Sequence, residues 1–121
     1  MNSNEILAQG EKAYSEERFE DALACFQQIA AENATAEAYI PYCYYCIASE
    51  ISIASSNTQD STEMVRGYQK TIALMDKAIR LALKFIRDHG NDFSNCSTSA
   101  EIITDCFTSQ FHLVANGLTT A

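Results

Sequence analysis

A chain of 121 residues, 47% apolar and 20% charged, has the size of one domain and is too apolar for a disordered tail. Its net charge of −8 repels phosphate backbones and anionic lipid, which argues against nucleic acid and membrane surfaces as partners. One Pro and four Gly are too few for a turn-rich β-sandwich, so the composition favours an all-α fold.

The apolar residues fall at helical spacing almost throughout. A first helix carries Ile6, Leu7, Gly10, Ala13 and Tyr14 on one face, and Asn2 with Glu5 has the spacing of a capping box. Glu16-Glu17-Arg18 reads as a tight turn. A second helix buries Phe19, Ala22, Leu23, Phe26 and Ile29 and ends near Glu32-Asn33. A third helix is expected to start between Thr35 and Glu37, which puts Pro41 in or near its first turn, where a missing N–H costs little. Its apolar side holds Tyr39, Ile40, Cys43, Cys46, Ile47 and Ile51.

The polar run 55–61 reads as a loop, with Asp60 and Glu63 opening a long fourth helix over about 61–88. Gly90, after His89, is the expected C-cap. Met64, Tyr68, Ile72, Met75, Ile79, Leu83 and Ile86 form its main apolar face, and Leu74, Ala78, Leu81 and Phe85 a second. A helix apolar on two sides is sandwiched between neighbours. After a loop at 91–97, Thr98 and Glu101 start a fifth helix through Ile102, Ile103, Cys106, Phe107, Gln110 and Val114, ending at Asn116-Gly117.

Residues 1–63 hold eleven acids but only Lys12 and Arg18, whereas residues 64–121 hold six bases and five acids. The halves are therefore expected to attract each other, or the basic part serves a separate purpose. The start of the chain lacks a basic segment leading into an apolar one, and the longest nearly apolar run, 38–48, falls short of the ~20 residues of a spanning helix. Five cysteines, an odd set, suit a reducing compartment. A soluble cytoplasmic protein is the expectation.

Gly10, Phe19, Ala22, Leu23, Phe26 and Ile29 keep the register in which the chain resembles the tetratricopeptide repeat family, with Phe19-Glu20-Asp21-Ala22-Leu23 the strongest string. Gln9, Ala13 and Ala34 depart from that pattern, where Leu, an aromatic and Pro are usual. Advancing 34 residues gives Ile40, Cys43, Tyr44 and Ile47, while the partner helix, with Tyr68 to Ile72 and Asp76 to Leu81, lags by about fifteen residues. The resemblance implies an all-α, tetratricopeptide-like antiparallel array of about five helices. A single domain, 1–121, would hold repeat 1 at about 3–34, an elongated repeat 2 at about 35–90 and a capping helix at about 98–116.

It further implies a groove lined by the first helix of each repeat: Asn4, Leu7, Glu11 and Tyr14, then Ala38, Tyr45 and Ser49. The Lys/Asn/Arg clamp that some members use on a C-terminal carboxylate has Leu7 and Glu11 at its positions here, so that clamp is not expected. Tyr14 and Tyr45 combine flat apolar area with a polar tip, the kind of side chain that anchors interfaces. Tyr39, Tyr42, Tyr44 and Tyr45 cannot all face inward on one helix, so some tyrosine surface is exposed or covered by a partner.

Arg66, Lys70, Lys77, Arg80, Lys84 and Arg87 fall within about 100° around the fourth helix. This stripe is either a solvated face, a partner for the acidic half, a docking strip for an acidic peptide or, against the overall charge, a contact for nucleic acid. Cys43-Tyr44-Tyr45-Cys46 matches C-x-x-C, and Cys96 and Cys106 complete four thiolates in principle, but an apolar helical stripe suits buried thiols better than zinc or redox chemistry. Glu16, Glu17, Glu20 and Asp21 suit helix capping better than a cation site, which would need a calcium-loop pattern. His89 suits a helix end, and His112 lies six residues from Cys106, a poor spacing for a dyad on one helix.

The sequence therefore predicts a non-catalytic protein–protein interaction module with no metal and no cofactor, presenting a groove or face to a peptide or protein partner. The alternatives are a self-associating, dimeric scaffold and a small metal-binding or redox protein using Cys43 and Cys46.

Overall fold

The computed structural model describes residues 2–120, with side chains through Leu113, and every element in that range is helical. Helix α1 (Ser3–Ser15) starts at the expected capping box: Asn2 Oδ1 accepts from the Glu5 N–H at 2.9 Å and Asn2 Nδ2 donates to Glu5 Oε1 at 3.1 Å. It ends in the expected turn, where the Arg18 N–H reaches the Ala13 carbonyl and the Glu17 N–H the Tyr14 carbonyl. Glu17 takes φ 62° there, a left-handed cap more often built with glycine.

Helix α2 (Phe19–Ile29) stops before Glu32 because Asn33 already caps the next helix, accepting from the Ala36 N–H at 3.0 Å. Helix α3 (Ala34–Ser56) therefore begins earlier than Thr35 to Glu37, and Pro41 is its eighth residue, two turns in and fully buried. A proline so far inside a helix costs roughly 3 kcal/mol. Packing of α3 against α2, α4 and α5 offsets it. The helix also runs on through Ser55, which the sequence suggested was loop, because Ser55 is buried against Gly67.

Helix α4 (Ser61–Asp88) has the expected limits, and Asp60 Oδ1 accepts from the N–H groups of Thr62 and Glu63. Gly90 does not cap it in a left-handed conformation; the His89 N–H bonds the Phe85 carbonyl and His89 is the last cap residue. Helix α5 (Phe93–Thr120) starts five residues before Thr98 and continues past Asn116-Gly117. Asp92 is the reason for the early start: it accepts from the Asn95 N–H and side-chain amide, and its carbonyl takes the Cys96 N–H. Val114 lies outside the described side chains.

Consecutive helices pack antiparallel. Gly10 meets Phe26, Phe26 stacks on Tyr39, Thr71 Oγ1 reaches the Ala48 carbonyl, and Gln110 reaches the Ile72 carbonyl. Helices α1, α3 and α5 consequently run parallel, with Tyr14 on α1 beside Tyr42 and Cys46 on α3. Their layer lies against a second one made of α2 and α4. Two glycines set the closest approaches. A Cβ on Gly10 would stand 2.6 Å from the Phe26 ring, and one on Gly67 would overlap Ser55 Oγ.

The core forms two clusters. The first joins α1, α2 and the start of α3 through Ala13, Ala22, Phe26, Ile29, Ala36 and Cys43. The second joins the rest of α3 to α4 and α5 through Ala48, Met75, Ala78, Ile79, Ile102 and Cys106. On α4 the buried side is Thr71, Met75, Ala78, Ile79, Ala82 and Phe85, so Leu83, expected inside, is 53% exposed. The small residues Thr71 and Ala82 take the inner line because α3 and α5 both press close to it.

Candidate functional site

The parallel layer forms a cleft of about 380 Å³ lined by Tyr14, Thr35, Ala38, Tyr39, Tyr42, Asn95 and Thr98. Helix α1 supplies one wall, α5 the other, and α3 the floor. Buried Ala38 leaves room at the bottom because it has no side chain beyond Cβ. Tyr14 is the centre of a ring cluster. Its centroid lies 5.4 Å from Phe19, 5.6 Å from Tyr39 and 6.3 Å from Tyr42, the first and last at steep angles that suit edge-to-face contact. Phe26 stacks behind Tyr39 at 4.5 Å and fixes that ring.

Polar groups hold the rings in place. The Tyr39 hydroxyl donates to Glu11 Oε2 at 3.1 Å, and the Tyr14 hydroxyl lies 3.7 Å from Cys46 Sγ. Burial pushes the Tyr14 hydroxyl above its ordinary pKa, and Cys46 adds to the rise. Tyr42 is raised too, first by burial and then by the carboxylates of Glu101 and Asp105, with Thr98 opposing. Tyr39 is raised as well, by burial and then by Glu11, so all three phenols sit where a further negative charge is disfavoured.

The structure divides the seven groove positions named from the repeat register. Tyr14 and Ala38 line the cleft, and Glu11 orients Tyr39 at its edge. Asn4 is exposed, Leu7 packs on the first core cluster and Tyr45 on the second. Ser49 lines a different depression, of about 300 Å³, with Ile53, Tyr68, Met75, His112 and Leu113 among its walls. Thr35, Tyr39, Tyr42, Asn95 and Thr98 were not among the groove positions. The last two fell in or beside the run read as a loop, and the Asp92-to-Asn95 spacing was the available signal that α5 already covers them.

The basic stripe lies on the outer side of α4, with Arg66, Lys70, Lys77, Arg80, Lys84 and Arg87 all exposed. Attraction between the two halves of the chain is realised at one ionisable pair among the described residues, His89 Nε2 to Glu37 Oε2 at 2.7 Å. The stripe instead pairs with its own helix, Lys84 with Asp88 at 2.9 Å, and Lys77 sits 4.7 Å over the Tyr44 ring. In the turn after α1, Arg18 holds Glu16 and Asp21.

The cysteines are all free thiols. Burial pushes the Cys43 and Cys106 thiols up to about 12, which disfavours the thiolate. Among the described residues no group of three or more His, Cys, Asp or Glu side chains is placed to hold a metal ion, and no helix is long and apolar enough to cross a membrane. Comparison with known protein families, curated proteins and solved structures finds no match.

Proposed function

We propose that this protein is a tetratricopeptide-like, non-catalytic interaction module that receives a peptide segment in the cleft between α1, α3 and α5. The observation that carries this reading is the cleft itself: three tyrosines, three small polar side chains and an alanine floor converge from three parallel helices. Such a surface offers flat apolar area with convergent donors and acceptors, the mixture that recognises a peptide without bond chemistry. Peptides selected from a random library against the folded protein test it. Selected peptides are expected to shift the backbone amide signals of Thr35, Ala38, Asn95 and Thr98, and Tyr42→Ala to weaken them about tenfold or more. Peptides that leave those four amides unmoved would sink the reading.

Self-association is a second reading with one observation in its favour. Phe93, Phe107 and Phe111 on α5 are 81%, 57% and 71% exposed, and their spacing puts them on one stripe of that helix. A second copy packed there would give a dimer mass by light scattering that Phe107→Glu returns to monomer.

A further inference from the structure

We propose that the cleft selects a basic peptide, seating an arginine or lysine side chain against the rings of Tyr14 and Tyr42 with Glu101 as its counter-charge. This rests on the peptide-binding reading above and adds the chemical class of the ligand.

The argument begins with how the fold partitions charge. The three helices that build the cleft contain Glu5, Glu11, Glu37, Glu50, Glu101 and Asp105 but a single base, Lys12. Six of the eight Lys and Arg residues lie on α4, in the other layer, with their side chains outward. The acids are not more frequent on the helices a bound peptide would touch, but with one base among them those helices carry a net −5, against +1 for α2 and α4. A cation approaching the cleft does not meet the basic stripe, and an acidic partner for that stripe would dock on the opposite side of the molecule.

Ring geometry supplies the second strand. Tyr14 and Tyr42 both line the cleft and stand at 76° with centroids 6.3 Å apart, and a cation seated there takes a ring face, since the electropositive ring edge repels it. An ammonium or guanidinium within about 6 Å of a tyrosine face is attracted by the ring quadrupole. Lys77 over Tyr44 shows the same contact made within this protein, at 4.7 Å.

Counter-charge is the third. Thr98 lines the cleft, and Glu101 is one helical turn beyond it on the same side of α5, close enough to act on the Tyr42 hydroxyl. Thr35 and the Oδ1 of Asn95, whose Nδ2 is held by Asp92, are left to meet the peptide backbone. A volume of about 380 Å³ falls within the range of sites that take one large side chain and its flanking backbone.

The test uses capped pentapeptides, a central Arg, Lys, citrulline or Glu flanked by glycines, titrated into isotopically labelled protein. The Arg and Lys peptides are expected to shift the Ala38, Asn95 and Thr98 amides, with the citrulline peptide about fivefold weaker or worse and the Glu peptide inert. Glu101→Gln, at an exposed position that leaves packing intact, is expected to weaken the Arg peptide about threefold and to reduce its salt dependence. Equal binding of the Arg and citrulline peptides, or binding of the Glu peptide, overturns the proposal. The two readings fail separately. Library peptides that are neutral or acidic and still shift the cleft amides leave the interaction module standing and remove basic selectivity, whereas peptides that never shift them remove both.

Discussion

The two core clusters use aromatic residues in opposite ways. In the first, Phe26 is fully buried, Tyr39 stacks on it, and Tyr14 and Phe19 close the side, so rings fill the space between α1, α2 and α3. In the second, the buried members are Ala48, Met75, Ala78, Ile79, Ile102 and Cys106, the rings of Tyr42, Tyr44 and Tyr45 pack only on its margin, and three phenylalanines of α5 point outward. Ring-filled space lets short helices of thirteen and eleven residues hold together. Small residues let the long helices α3, α4 and α5 approach closely along their length, and that closeness displaces large side chains to the outside. The difference shows why the cleft lies where it does: it opens where the ring-rich cluster meets the close-packed one, with Tyr14 and Tyr39 from the first and Tyr42 from the second, beside Asn95 and Thr98 of α5.

The largest effect expected from this contrast compares two phenylalanines. Phe26→Ala removes a fully buried ring that also covers Gly10 and stacks on Tyr39, and is expected to cost about 3–5 kcal/mol in urea denaturation. Phe107→Ala, at 57% exposure on α5, is expected to change stability by less than about 0.5 kcal/mol. A large loss at Phe107 would mean that its face is covered in solution, and would favour self-association.

Next are the two close approaches, one in each region. Gly10→Ala places a methyl 2.6 Å from the Phe26 ring edge, and Gly67→Ala drives one into Ser55 Oγ. Each is expected to destabilise by about 1–3 kcal/mol from overpacking, even though alanine is the better helix former by roughly 1 kcal/mol. The clash at Gly67 is with a side chain, so pairing it with Ser55→Ala should recover part of the loss. Recovery in that double variant, measured as a thermodynamic cycle, would fix Ser55–Gly67 as the contact that sets the α3–α4 spacing. No recovery would place the strain at the Ser55 Cβ, which alanine keeps 2.7 Å from the added methyl.

How much of this was legible follows the same division. The short first region carried strong local signals: the Asn2–Glu5 box, the turn at Glu16 to Arg18 and the small residue Gly10 opposite Phe26 all lie where the sequence put them. The limits of α4 were readable from Asp60 because a side-chain cap is a local event. What failed depended on tertiary packing. Polar Ser55 and Thr71 are buried because α3 and α4 nearly touch, and Leu83 is exposed because α4 is turned to present Ala82 instead. The polar run after Asp92 resembled a loop, yet it is the first two turns of α5, since Ser and Thr are tolerated in a helix once a cap and a core hold it. Two of the seven cleft residues were visible. Tyr14 and Ala38 followed from the repeat register, whereas Asn95 and Thr98 reach it only because α5 starts five residues early.

Ser99 sharpens the contrast at the smallest scale. It is 1% exposed on the inner side of α5, and its hydroxyl has no hydrogen-bond partner among the described atoms. A buried hydroxyl left unpaired costs about 1–3 kcal/mol of desolvation that nothing returns. Alanine fits the same space without that group and is also a better helix former. Ser99→Ala is therefore expected to raise stability by about 1 kcal/mol, read as a higher urea midpoint at unchanged slope. The second cluster would then be tight in its α3–α4 contact but unoptimised where α5 is laid on. A loss on removing the hydroxyl would mean that it has a partner in solution, which makes the α5 contact as specific as the ring-filled core at the other end of the molecule.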